Sequence, residues 1–193
     1  MNMFVRMAVL GLCVVAGAAG FGPAALAASK DPVAASAERG RAMTTDELYK
    51  LYRNRSWIWN DGAGHFRVSK REFTAFTKSG AAGSYADGIW FLTDAGKLCF
   101  RAAWNAVDGS SKALTCFEHR TNGGNIYQRR LPDGDWYVFS HRTPEAWDEI
   151  RKLKRGDHVR KNYLANKSYV DARAVKTCSA GQGGTLICRL LRR

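Results

Sequence analysis

Leu98-Cys99-Phe100-Arg101-Ala102-Ala103-Trp104 and Ala113-Leu114-Thr115-Cys116-Phe117-Glu118-His119 flank a turn at Val107-Asp108-Gly109. Folded back about that turn, the two runs form an antiparallel hairpin in which Cys99 and Cys116 stand opposite each other. Direct cross-strand neighbours hold their Cβ atoms near the separation a disulfide needs. Four cysteines outside the N-terminal leader allow three pairings. The hairpin selects Cys99–Cys116 and leaves Cys178–Cys188, which closes the Gly-rich loop from Ser179 to Thr185.

The same rhythm extends on both sides. Trp57 and Trp59 alternate with Ile58, and Asp61-Gly62-Ala63-Gly64 marks a turn. Phe66 and Val68, Phe73 to Thr77, and Tyr85 to Thr93 are further β-type runs, the last ended by Asp94-Ala95-Gly96. Asn122-Gly123-Gly124 turns the chain again, and Ile126 to Leu131 and Trp136 to His141 flank Pro132-Asp133-Gly134-Asp135. Short aromatic and β-branched runs at close turn intervals predict a mainly β protein. Sequential hairpins predict a single antiparallel meander, barrel or sandwich, with a lipocalin-like barrel as one form.

Two short flanking helices are expected. Thr44 and Glu47 have capping-box spacing, and Leu48, Leu51 and Tyr52 follow on one face, predicting a helix over 45–53. Thr143 and Pro144 can start a second, with Trp147, Ile150 and Lys154 along one face, Leu153 beside them, and Gly156 as its left-handed close. Beyond it, 158–163, 168–176 and 185–191 read as extended.

The N-terminus reads as an export signal. Arg6 precedes the apolar run from Met7 to Val15, and Ala25-Leu26-Ala27 is the small-x-small cleavage pattern. The uninterrupted apolar core is short for a membrane span of about 20 residues, so no span is expected after cleavage. The chain divides into a signal at 1–27, a flexible lead at 28–42, a β-rich domain at 43–160 and an extension at 161–193. Cleavage before Ala28 places the product in the periplasm or outside the cell, where the cysteines oxidise.

The 193-residue precursor carries a formal charge of +13, and loss of Arg6 with the signal leaves +12. Such a balance favours acidic partners, anionic polysaccharide among them. Nucleic acid is set aside, because no binding motif accompanies export. Arg101, Arg120, Arg129, Arg130 and Arg142 lie on or beside the proposed strands and suit carboxylate or phosphate. Trp57, Trp59, Phe66, Trp90, Phe100, Tyr127 and Trp136 can line a barrel mouth, although large rings more often fill a core. Glu118-His119, His141, Asp87 and Asp133 are the only acid–base groupings of note, and no nucleophile elbow or metal-binding spacing frames them.

One longer pattern points to a family. Glu47-Leu48-Tyr49 leads to Ser56-Trp57-Ile58-Trp59 and Asp61-Gly62-Ala63-Gly64-His65-Phe66. Ser84 to Phe91, Leu98-Cys99-Phe100-Arg101 and Thr115 to His119 follow, then Ile126-Tyr127-Gln128-Arg129, Gly134 to Phe139, and Leu153-Lys154-Arg155-Gly156-Asp157. In this order, over 43–160, they resemble the bacterial domain-of-unknown-function 995 family. The resemblance implies a small exported alphaproteobacterial domain with the first cysteine pair, and no assigned activity. The functional expectation is a non-catalytic, disulfide-stabilised binding protein of the envelope without a cofactor, directed at acidic polysaccharide. A lipocalin-like carrier of a small apolar molecule is the alternative, and an envelope enzyme comes third. The residues expected to meet a ligand are Trp57, Trp59, Trp90, Arg101, Tyr127, Arg129 and Trp136.

Overall fold

The computed structural model describes residues 31–78 and 83–179, with side chains to 173. In chain order these form α1 (Pro32–Arg39), β1 (Arg41–Ala42), α2 (Thr45–Tyr52), β2 (Arg55–Trp59), β3 (Gly62–Phe66), β4 (Glu72–Thr77), β5 (Ser84–Thr93), β6 (Lys97–Ala106), β7 (Gly109–Asn122), β8 (Asn125–Arg130), β9 (Tyr137–Ser140), β10 (Leu153–Arg155) and α3 (Arg160–Ser179). Among the described residues the strands build one antiparallel sheet in the order β10-β2-β3-β4-β5-β6-β7-β8-β9, with β1 added on β7. The sheet curls into a half-barrel. Its two ends, β10 and β9, are not hydrogen-bonded to each other.

The β6–β7 hairpin turns through Val107 and Asp108, between Ala106 and Gly109, and sets Cys99 opposite Cys116. The disulfide joins them, with Cα atoms 4.1 Å apart. Gly123 and Gly124 link β7 to β8, both at positive φ (59° and 86°), as a two-residue hairpin turn demands. The expected turn at Asp61-Gly62-Ala63-Gly64 starts earlier than its glycines: Gly62, Ala63 and Gly64 are buried strand residues. A Cβ on Gly62 would meet the Phe76 carbonyl at 2.1 Å and the Trp59 indole at 2.7 Å, so close backbone approach explains this glycine.

Period-two alternation sorts the side chains onto two faces. The concave face carries Trp57, Phe66, Phe73, Trp90, Leu98 and Phe139, closed over by Leu48 and Tyr52 of α2. Thr44 and Glu47 make the predicted capping box, so α2 starts where the sequence says. The convex face holds two smaller cores. Ala37 of α1 packs with Tyr127 and Trp136, and Val159, at the head of α3, packs with Ala63 and Phe76.

Three expectations need correction. The lead at 28–42 contains α1, whose Asp31 cap accepts from the Val33 N–H at 2.9 Å. The second helix does not form. Glu149–Lys152 is one 3-10 turn and Leu153–Arg155 is a strand. Leu153 is buried opposite Trp57, so edge pairing with β2 overrides helix propensity there. Trp147, expected along one face of that helix with Ile150 and Lys154, is 76% exposed. Residues 160–179, expected partly extended, form α3. Asp157 starts it by accepting at Oδ1 from the N–H groups of Val159 and Arg160, both at 3.0 Å. Among the described residues there are therefore three α-helices. The proposed Cys178–Cys188 bridge lies outside the described side chains.

Candidate functional site

A cleft of about 350 Å³ opens on the concave face, away from α2. Trp57, Trp59, Phe100, Trp104 and Phe117 give it five aromatic walls. They converge because β2, β6 and β7 each turn alternate residues inward, and register places Phe100 opposite Thr115 and Leu98 opposite Phe117. The floor is tightly packed. Phe100 stacks on Phe73 with centroids 4.3 Å apart, and Phe117 lies 4.9 Å from Trp57. Trp59 and Trp104 remain half-buried at the edge of the cleft.

Two charged residues reach the cleft, Glu149 and Arg130. Glu149 is engaged: it accepts from the Trp57 indole N–H at 3.0 Å and pairs with Lys152 at 2.7 Å. The Arg130 guanidinium is exposed and has no carboxylate partner among the described residues. Among the described residues the cleft therefore offers a wide aromatic surface and one available cation, Arg130.

The seven expected ligand residues separate into distinct places. Trp57 and Trp59 line the cleft. Trp90 is fully buried, donates its indole N–H to the Arg67 carbonyl at 2.7 Å, and lies 4.5 Å from the Arg71 guanidinium carbon. Tyr127 and Trp136 lie beneath α1 on the convex face. Arg129 sits over the Trp136 ring and binds Glu118 through Nε and Nη2, at 2.9 and 2.6 Å. Arg101 is exposed on the convex face, opposite Leu114. Among the other arginines, Arg120 also clasps Glu118 at 3.1 Å. Arg142 lies beside Gly124. Arg101, Arg120 and Arg129 therefore share the convex face, but Glu118 occupies the latter two, so they do not form a free basic cluster. Burial alone would raise the Glu118 carboxyl, but Arg129 and Arg120 outweigh it and hold the group below its usual range.

The acid–base candidates also part. Glu118 points to the convex face, and His119 is enclosed in the core. Tyr52 Oη lies 2.7 Å from His119 Nε2, and Gln128 Nε2 lies 2.5 Å from the same nitrogen. Tyr137 donates to Gln128 Oε1. Burial pulls the His119 pKa down to about 4, so the ring is neutral and Nε2 accepts. His141 Nδ1 is held by buried Asp148 at 2.6 Å, and Asp87 accepts from Tyr163 at 2.6 Å. Among the described residues no three His, Cys, Asp or Glu side chains gather as a metal site, and no helix is long and apolar enough to cross a membrane.

Sequence reading missed Trp104, Phe117 and Arg130 as partners of Trp57 and Trp59. For the two rings the signal was available: Trp104 shares the parity of Phe100 on one arm of the hairpin, and Phe117 that of Thr115 on the other. Neither a curated protein nor a solved structure matches the chain. A family model does match, over residues 18–159. It starts well before Met43, takes in α1 and ends where α3 begins. The match covers well over half of the chain, which belongs to the family described as protein of unknown function (DUF995).

Proposed function

We propose that this is an exported, non-catalytic binding protein that holds one small ligand in its concave cleft, the ligand having a flat apolar body and a single acidic group. The observation that carries the reading is the aromatic cleft of about 350 Å³, with Arg130, which has no carboxylate partner among the described residues, at its edge. Pockets of this size and lining suit small molecules, and a few polar groups fix their orientation. The rings supply apolar contact and stacking. Arg130 supplies a fork for a carboxylate or sulfonate. Acidic polysaccharide fits less well, because Glu118 occupies Arg120 and Arg129, which leaves no free basic cluster with Arg101 on the convex face. Export is supported by the Arg6-to-Ala27 pattern and by the Cys99–Cys116 bridge, which persists in an oxidising compartment.

The test is titration with 8-anilinonaphthalene-1-sulfonate, which is flat, apolar and singly charged. The folded protein should bind it saturably. Trp104→Ala should weaken binding about tenfold, the effect of losing a stacked ring of about 1–1.5 kcal/mol, with little change in melting temperature. Equal affinity in the wild type, W104A and R130Q would remove the cleft from consideration.

A further inference from the structure

The end of the half-barrel closed by α2 carries a second cavity, of about 450 Å³. Among the described residues its lining includes four cations, Lys50, Arg53, Arg55 and Arg155, and no carboxylate. Lys50 has an ordinary explanation. It pairs with Asp46 at 2.6 Å and stands in the last turn of α2, where a cation complements the helix dipole.

The three arginines lack that explanation. None has a carboxylate partner among the described residues. Arg53 rests over the Tyr49 ring, 5.6 Å from its centroid. Arg55 and Arg155 are direct partners across the β2–β10 pair. Like charges at opposed strand positions destabilise a sheet. Arg55 is only half-exposed, between β10 and β3, so water screens it incompletely. Glu72 and Asp157 are engaged elsewhere: both pair with Arg67, at 3.6 Å.

We propose that this basic cavity is an anion site for a phosphoryl group. A carboxylate presents two oxygens and one charge, enough for one guanidinium fork. A phosphoryl dianion presents three oxygens and about two charges, so it can engage several forks at once and relieve the Arg55–Arg155 repulsion. The site shares no lining residue with the aromatic cleft and does not depend on it.

Calorimetric titration of the folded protein with pyrophosphate at low ionic strength tests this. Saturable one-to-one binding is expected. Arg55→Gln and Arg155→Gln should each weaken it at least about tenfold, the loss of one charge-assisted contact. Arg101→Gln removes the same charge from the convex face and should leave affinity within about twofold, because Arg101 does not line the cavity. R155Q should also melt no lower than the wild type without anion, which separates lost binding from lost folding. Sedimentation with phosphatidylcholine vesicles, with and without phosphatidic acid, identifies the source. R155Q-sensitive pelleting upholds the site with a lipid phosphate. Pyrophosphate binding without pelleting upholds it with a soluble phosphate ester. Absence of saturable binding, or equal losses in R101Q and R155Q, overturns the proposal. Pyrophosphate has no apolar body to occupy the cleft, so this result and the naphthalene-sulfonate result can fail separately.

Discussion

His119 should make the protein acid-labile before its carboxylates titrate. The imidazole is fully buried, and Nε2 accepts from Tyr52 Oη at 2.7 Å. Nδ1 has no hydrogen-bond partner among the described residues. Burial lowers the pKa from 6.5 to about 4, opposed only in part by the nearby Gly96 and Phe117 carbonyls. The unfolded chain therefore binds the proton more readily than the folded one. The stabilising contribution is complete above about pH 6.5, falls as the solution is acidified, and flattens below about pH 4. Between about pH 7.5 and 4.5 the loss comes to about 2.5 kcal/mol. Burial also lowers the pKa of His65, in the same direction, so the wild type alone cannot assign the effect. Urea unfolding of the wild type and of His119→Gln at both pH values isolates His119 by difference. The glutamine is neutral throughout, and its amide oxygen can accept from Tyr52. The variant should lose about 2.5 kcal/mol less than the wild type on acidification. Parallel losses in the two proteins would show that protonation of this ring is not what destabilises the fold.

Further outcomes follow from individual contacts. Replacing both Cys99 and Cys116 by Ala releases a bridge of sequence separation 17. Chain entropy gives that loop about 3 kcal/mol, so chemical denaturation should show a loss of this size, and a loss under about 1 kcal/mol would refute it. Thr44→Ala removes the side-chain half of the α2 capping box and should cost about 1 kcal/mol. An unchanged denaturation midpoint would mean that packing of Leu48 and Tyr52 alone holds the helix. Intact mass of protein recovered from its native host should correspond to a chain beginning at Ala28, and recovery of the full 193 residues would contradict export.

Features carried by neighbouring residues were legible in the sequence. The β6–β7 hairpin, its disulfide and the Gly123-Gly124 turn depend on alternation and turn chemistry within a few residues. The α2 cap is likewise local, since Thr44 and Glu47 satisfy each other's backbone. The region from Thr143 to Gly156 misled because its helical spacing is real but its partner is not local. Leu153 gains more by pairing opposite Trp57 at the sheet edge, and Asp148 is drawn inward by the His141 ring and the N–H groups of His141 and Glu145. α3 had a readable signal in Val159, Tyr163, Asn166 and Val170, spaced by four, three and four, with Asp157 ahead of them. Gly156 does adopt positive φ, 89°, although it precedes a helix rather than ending one.

Local sequence is enough to say which residues alternate, where the chain turns, and that Cys99 can face Cys116 across a hairpin. These follow from strand period and turn chemistry, which act over short distances. The folded sheet brings Trp57 and Trp59 into one cleft with Trp104 and Arg130, seals Trp90 and sets Trp136 on its other side. It alone set Arg55 opposite Arg155, one hundred positions away. Sheet curvature and edge pairing join distant segments, and no local pattern encodes which part of the concave aromatic surface α2 will cover and which will stay open.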